Sequence, residues 1–152
     1  MNTEVLARPC WSLLAKKAQD EAELIQQHIA QTRQRLTKLQ ASRERLQQMY
    51  DEYCQQLNRP GSSSQGMREA MGQRQFMAQL LTLLERVNTD IAHATNHLDG
   101  YRERLLAVEK ERMKMQSLAE QNERDLNLQT RKKEQRRMDE LGVMQFNQRS
   151  AL

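Results

Sequence analysis

Aromatic residues, turn-forming residues and thiols are scarce in this 152-residue chain. Aromatic residues make up 4% of it, and it contains five glycines, two prolines and two cysteines. So few turn residues nearly exclude β structure, and so few large apolar side chains argue against a globular core. Cys10 and Cys54 lie far apart with no histidine beside either, so we expect free, reduced thiols.

Long apolar segments are missing as well. No run approaches the roughly eighteen apolar residues that a membrane-spanning helix needs. The start of the chain contains Glu4 and no apolar core, so no signal peptide is visible. We therefore expect a cytoplasmic protein without a transmembrane segment.

Catalytic motifs are also absent from the sequence, which has no glycine-rich phosphate loop, no GxSxG and no HExxH. His93 and His97 have the spacing of a metal-ligand pair, and a hairpin would bring His28 near them. No acidic residue or cysteine completes the ligand set at a suitable spacing. We therefore expect no enzyme, no cofactor and no metal site.

What the chain does have is an apolar repeat of seven residues. Spacings of three and four alternate between charged neighbours, which is typical of a coiled coil because each seam residue must face a partner helix on successive turns. The repeat weakens at its end, through Asn122 and Leu126. The seam residues before that are Trp11, Ala15, Ala18, Ala22, Ile25, Ile29, Thr32, Leu36, Leu39, Arg43, Leu46, Tyr50, Tyr53 and Leu57, then Met77, Leu80, Leu84, Val87, Ile91, Ala94, Leu98, Tyr101, Leu105, Val108, Arg112, Met115 and Ala119.

One break interrupts the repeat, from Asn58 to Gly66, and it contains Pro60-Gly61 and three consecutive serines. No helix runs through such a segment. We predict an all-α fold, a long antiparallel two-helix coiled-coil hairpin that forms a single elongated domain over residues 1–152.

The expected boundaries follow from capping signals. Helix one covers about 9–57, because Pro9 suits a first helical turn, and the turn covers about 58–66. Ser62 and Gln65 have the spacing of a capping box before helix two, at about 67–141. Gly142 is expected to end that helix and leave a flexible tail at 142–152.

Helix two is the longer helix, so its C-terminal end should overhang. Folding the chain about its turn places Ile29 near Ala94 and Trp11 near Arg112, within a slip of one heptad. Arg112 and Arg43 interrupt the seam, where their stems would pack while the guanidinium groups reach water. Alternatively, Arg112 lies over the Trp11 indole in a cation–π contact.

Basic residues are concentrated near this overhanging end. From Arg124 to Arg137 there are six basic and two acidic side chains, which account for the whole net charge of +4. Such a run is typical either of a solvated helix end or of a surface that docks on acidic groups. No aromatic residues are interleaved with it, so we expect no binding of nucleic acid.

The segment that follows the turn is too apolar for a two-stranded seam. Phe76, Leu81 and Leu83 are apolar at positions that flank the seam. Phe76, Leu80, Leu83 and Val87 form a ridge with spacings of four, three and four residues. The ridge indicates either a wider core near the turn or a strip that binds a partner.

Short motifs then add a family resemblance. The sequence Gln-Phe-Met-Ala-Gln-Leu-Leu occupies Gln75–Leu81, and Lys-Glu-Gln-Arg-Arg-Met-Asp-Glu-Leu occupies Lys133–Leu141. The N-terminal segment Leu13–Lys17 is compatible with the same family. Together with the hairpin architecture, these segments resemble the FliJ family of flagellar export proteins.

The resemblance implies a non-enzymatic, stalk-like component of the flagellar type III export apparatus that needs no cofactor. Its implied partners are the hexameric export ATPase, whose ring it enters and helps to assemble, the export gate protein of the inner membrane, and the substrate-specific export chaperones that it cycles. It would lie in the cytoplasm and associate peripherally with the membrane at the export apparatus.

The resemblance also implies two sets of binding residues. The strip that binds the export gate aligns with Phe76, Leu80, Leu83 and Val87, although Val87 stands where relatives can carry histidine. By analogy with the stalks of rotary ATPases, the residues that face the ATPase ring are Trp11, Arg124, Arg131, Lys132, Lys133, Arg136 and Arg137.

Three other functions fit the same architecture: an RNA-binding helical arm, the stalk of a virulence-type injectisome, and a generic homodimeric coiled-coil scaffold. In the scaffold, Pro60-Gly61 would be a kink between two intermolecular segments. Salt-dependent binding of RNA would favour the RNA-binding arm, whereas stimulation of an ATPase would favour a stalk. A monomeric mass in solution would rule out the homodimeric scaffold.

Overall fold

The structure, a computed structural model, describes residues 10–58 and 66–151. Helix α1 covers Cys10–Leu57 and helix α2 covers Met67–Ser150, and the described residues contain no strand. The prediction of an all-α, two-helix hairpin is confirmed. Pro9 and the capping pair Ser62 and Gln65 lie outside the described residues.

Local hydrogen bonds explain where and how the helices form. The carbonyl oxygen of Gly66 accepts hydrogen bonds from the backbone N–H groups of Glu69, at 3.0 Å, and Ala70, at 3.2 Å, so Gly66 caps the start of α2. Within the helices, threonine hydroxyls donate to the carbonyl four residues earlier, as Thr32 does to His28 at 2.8 Å. This bond satisfies the hydroxyl group without breaking the helix.

The end of α2 differs from the expectation. The helix passes through Gly142 and continues to Ser150, so residues 142–150 are helical rather than a flexible tail. A glycine ends a helix when it adopts a left-handed backbone conformation, and Gly142 does not. In a helical backbone glycine costs only about 1 kcal/mol relative to alanine, and the following residues include no proline that would stop the helix.

The described chain divides into two compact units. One unit comprises Leu24–Leu105, and the other combines α1 up to Glu23 with α2 from Leu106 onward. Within the unit Leu24–Leu105 the two helices are antiparallel, because His28 stacks on Tyr101 whereas the later residue Tyr53 contacts the earlier residue Phe76. That the whole chain behaves as a single elongated domain stays a prediction.

The predicted seam is the core of each unit. Every seam residue from Trp11 to Leu126 is buried or half-buried except Arg43, which is exposed. The seam also starts earlier in α2 than expected, because Ala70 and Gln73 continue its spacing and are half-buried. The most deeply buried residues are Ile25, Ile29, Leu80, Leu84, Ala94 and Leu98 in the unit Leu24–Leu105, and Ala18 and Ala22 in the other.

Two ring contacts limit the register of the helices in the unit Leu24–Leu105. Extending the expected pairing of Ile29 with Ala94 puts residue 95 opposite His28 and residue 70 opposite Tyr53, whereas the rings that these two residues contact belong to Tyr101 and Phe76. Helical side chains lean toward the N-terminus of their own helix, so touching rings of two antiparallel helices belong to residues whose backbones are offset along the axis. The contacts therefore agree with the expected register within the slip of one heptad that the sequence left open.

The C-terminal end of α2 has no helical partner among the described residues of its unit. Every described residue from 127 to 151 is exposed, whereas Asn122 and Leu126 are the last half-buried seam residues. The overhang predicted for helix two is therefore present, and it is longer than expected because the helix reaches Ser150.

Candidate functional site

The four residues of the expected gate strip occupy different environments. Leu80 belongs to the core at 3% exposure, Phe76 and Val87 are half-buried, and Leu83 is exposed at 47%. All four lie in the unit Leu24–Leu105. A partner can therefore reach Leu83 directly and the edges of Phe76 and Val87, while Leu80 supports the strip from beneath.

Sequence reasoning assigned Tyr53 to the seam alone, and the structure adds it to this strip. The centroids of the Tyr53 and Phe76 aromatic rings are 4.8 Å apart and the rings are tilted by 47°, a common geometry for an aromatic pair. The half-buried pair extends the strip from α2 onto α1. The missing signal was the register, because the heptad pattern leaves open, within a slip of one heptad, which residue of α1 meets the Phe76 ring.

The two aromatic contacts define one side of the seam, which we call the aromatic flank. His28 and Tyr101 stack there with centroids 5.4 Å apart, and Tyr53 and Phe76 meet on the same side. Seam-flanking positions on one side recur every seven residues. The aromatic flank of the unit Leu24–Leu105 therefore comprises His28, Arg35, Ser42 and Met49 on α1, and Phe76, Leu83, Asp90 and His97 on α2.

The opposite side of the seam, which we call the amide flank, has a different composition. It comprises Gln26, Arg33, Gln40 and Gln47 on α1, and Arg74, Leu81, Asn88 and Thr95 on α2. Leu81 and Leu83 are each 47% exposed but lie on opposite flanks. The two leucines therefore form a matched pair for testing which flank binds a partner.

The residues expected to face the ATPase ring separate into two groups. Trp11 is half-buried in the first turn of α1, while all the basic residues of the set are exposed on α2. Only Arg124 precedes the overhang, and the others lie on its unpaired part: Arg131, Lys132, Lys133, Arg136 and Arg137. The free end of α2 therefore presents five basic side chains to solvent.

Arg112 contacts its own helix rather than the Trp11 indole, which was the alternative expectation for it. Its Nε and Nη2 atoms donate to Oε2 of Glu109 at 3.0 and 2.8 Å, and its Nη1 donates to Oε1 of Gln116 at 3.1 Å. No cation–π contact joins Arg112 to Trp11 within the described part of the chain. The half-buried guanidinium group is thus neutralised on its own helix, which explains how a seam position tolerates a charge.

The overhang also carries apolar residues that sequence reasoning missed. Leu141, Val143, Met144 and Phe146 are between 51% and 72% exposed. At about 100° per residue their side chains point to all sides of the helix rather than along one stripe. The signal was present in the sequence, but we expected the segment beyond Gly142 to be a flexible tail.

A shallow groove runs between the helices of the unit that contains the chain ends. It is open because Ala15 on α1 and Ala119 on α2 are small, and its charged lining includes Lys16, Glu120 and Glu123. All three charged side chains are exposed to water.

The histidines do not come together as metal ligands. His28 stacks on Tyr101, while His93 and His97 are exposed on α2. Among residues 10–58 and 66–151, no group of three or more histidine, cysteine or acidic residues is placed to hold a metal ion.

One titratable group near the turn has a shifted pKa. A hydrogen bond to Cys54 raises the pKa of the Tyr50 hydroxyl above its usual 10.0, with smaller contributions from the charge of Cys54, from loss of contact with water and from the charge of Asp51. The neutral hydroxyl is the form that this bond favours. Cys10 and Cys54 are both free cysteines, as expected.

The fold defines a class of protein: a two-helix coiled coil with exposed apolar side chains on one flank and an exposed basic run on the unpaired end of α2. The chain matches the model of the flagellar FliJ protein over residues 12–151, and it belongs to that family. It is therefore a protein of the flagellar export system.

The other comparisons add no relatives. Neither the curated proteins nor the solved structures include a match to the chain. Within the residues that the structure describes, no helix combines the length and the apolar character needed to cross a membrane.

Proposed function

We propose that this protein is a non-enzymatic, stalk-like link between the hexameric export ATPase and the export gate. It binds the ATPase ring, promotes assembly of the ring and couples ATP hydrolysis to the gate, and it cycles export chaperones. It works in the cytoplasm and associates peripherally with the membrane through the gate. The observation that carries the proposal is the family match over residues 12–151 in a chain whose α2 ends in a free, basic helix.

Support for binding to the ATPase ring comes from the unpaired end of α2. Five basic side chains between Arg131 and Arg137 are exposed, and none makes an ion pair within the described residues. Each exposed pair with an acidic group of the ATPase would contribute about 0–1 kcal/mol, so several together give appreciable and salt-sensitive binding.

The apolar residues beyond the basic run favour a partner that surrounds the helix. Leu141, Val143, Met144 and Phe146 point in different directions, so a surface on one side would leave part of them in water. A ring with a central opening would bury all four. Burial of each such side chain contributes about 1.5–3 kcal/mol when complete.

Support for binding to the gate comes from the aromatic flank. Leu83 is exposed beside the packed pair of Tyr53 and Phe76, and Met49 lies on the same flank at 40% exposure. Exposed apolar side chains next to a rigid aromatic pair are typical of the centre of a binding surface.

Binding to the ATPase ring is tested by the rate of ATP hydrolysis of the purified export ATPase with and without this protein. We expect stimulation by the wild type. A variant with Arg131, Lys132, Lys133, Arg136 and Arg137 changed to glutamine should lose most of it. Its affinity for the ATPase should fall roughly tenfold or more, because five charge contacts are removed together.

The control variant removes the same number of charges elsewhere, with Arg33, Arg68, Arg86, Lys110 and Lys114 changed to glutamine, all of them exposed. It should stimulate as the wild type does. An equal loss of ATPase stimulation in both variants would mean that net charge, rather than the position of the basic residues, causes the effect. Failure of a folded wild type to stimulate would contradict binding to the ATPase ring.

Binding to the gate is tested by the pair Leu83→Glu and Leu81→Glu. We expect Leu83→Glu to weaken binding to the cytoplasmic domain of the export gate protein at least tenfold, because it places a charge in an apolar contact. Leu81→Glu removes a leucine of equal exposure from the opposite flank and should bind as the wild type does. Equal affinities of the two variants would contradict the assignment of the aromatic flank.

A further inference from the structure

The aromatic flank carries charged residues that neither the gate strip nor the free end of α2 includes. Arg35 occupies the flank itself, and Lys38 and Arg45 lie beside it on the adjoining face of α1, with spacings of three and seven residues. We call Arg35, Lys38 and Arg45 the basic row. All three are exposed and belong to the unit Leu24–Leu105.

The basic row is largely uncompensated. None of its three side chains makes an ion pair or a hydrogen bond with another described residue. Two acidic residues lie on the same faces: Asp90 on α2 is half-buried, and Glu52 is exposed nearer the turn. The three basic side chains of the row outnumber Asp90, the acidic residue beside them on α2, so this part of the surface has a net positive charge.

The row adjoins the apolar part of the aromatic flank. Met49 follows Arg45 by one helical turn and is 40% exposed, and Tyr53 follows Met49 by another turn and packs on Phe76. One side of this unit therefore presents an apolar surface near the turn and a basic surface further from it. The amide flank, in contrast, has glutamine at three of its four positions on α1.

We propose that the basic row extends the gate-binding strip and selects a protein partner whose apolar pocket is bordered by carboxylate groups. The proposal rests on the proposed gate function and adds the charge of the partner's surface. Buried apolar contacts surrounded by complementary charges are the usual arrangement of such interfaces, in which the charges chiefly raise the association rate.

The same surface fits a protein better than nucleic acid or a lipid bilayer. Tyr53 and Phe76 pack against each other, as do His28 and Tyr101, so these aromatic faces are not free to stack on bases. The exposed apolar residues beside the row, Met49 and Leu83, form a patch too small for the broad apolar face of a membrane-surface helix.

The experiment measures association rates with the cytoplasmic domain of the export gate protein at about 50 mM and about 300 mM salt. We expect the double variant R35Q/R45Q to associate about three- to tenfold more slowly than the wild type at the lower salt, with a smaller difference at the higher salt. The matched control R33Q/R74Q removes two charges from the amide flank and should stay within about twofold of the wild type.

The variant Leu83→Glu separates the two proposals. Lost binding in Leu83→Glu together with an unchanged rate in R35Q/R45Q would overturn the basic row and leave the gate function standing. No binding by a folded wild type would overturn both. Equal slowing in R35Q/R45Q and R33Q/R74Q would also overturn the row, since only net charge would then matter.

Anionic vesicles and homopolymer RNA serve as competing ligands in the same assay. Weak binding of both, unchanged in R35Q/R45Q, agrees with a protein partner. If R35Q/R45Q loses binding to either ligand while its rate with the gate domain is unchanged, the row contacts lipid or nucleic acid and the proposal is wrong.

Discussion

Leu80 and Leu81 are neighbours in the sequence with opposite environments. Leu80 is 3% exposed in the seam, whereas Leu81 is 47% exposed on the amide flank. The heptad pattern alone separates them, since successive residues of a helix point about 100° apart. At this scale the sequence predicted burial well, and the gate strip that the family resemblance implies includes Leu80, whose side chain lies in the core.

We predict that Leu80→Ala lowers the free energy of unfolding by about 2–5 kcal/mol, because it leaves a cavity in a narrow core. Leu81→Ala should change it by less than about 0.5 kcal/mol. Urea denaturation followed by circular dichroism measures both. Similar values for the two variants would contradict the assigned seam.

At the scale of the helices, the seam was predictable and the register was not. The heptads identify which face of each helix is apolar, but every shift of seven residues pairs the same faces. The ring contacts of His28 with Tyr101 and of Tyr53 with Phe76 are what select among these shifts. The helix end expected at Gly142 was wrong, because a glycine alone does not end a helix and α2 continues to Ser150.

We predict that a flexible bifunctional thiol reagent joins cysteines that replace His28 and Tyr101, in a chain whose Cys10 and Cys54 are changed to serine. The aromatic rings of the two residues stack with centroids 5.4 Å apart, so the two positions face the same space between the helices, within reach of a reagent longer than a disulfide. The control pair replaces Tyr53 and Tyr101, which the antiparallel pairing separates along the helices because Tyr53 contacts Phe76 instead. Preferential linkage of the control pair, measured by mass spectrometry, would contradict the observed pairing of the helices.

At the scale of the whole molecule, the two proposed binding surfaces belong to different units. The aromatic flank lies in Leu24–Leu105, and the basic end of α2 lies in the unit that begins at Leu106 on that helix. Short motifs predicted the FliJ family, and the match over residues 12–151 confirms it. The partner-binding residues stay predictions, because the exposure of a side chain on a helix does not identify the protein that binds there.

The central claim is that one molecule binds the export ATPase and the export gate at the same time. The most direct test measures the mass of complexes formed by the ATPase, this protein and the cytoplasmic domain of the gate protein. We predict a ternary complex with the wild-type protein. The variant with Arg131, Lys132, Lys133, Arg136 and Arg137 changed to glutamine should form a complex that lacks only the ATPase, and Leu83→Glu should form one that lacks only the gate domain. Competition between the two partners for the wild-type protein would contradict the account.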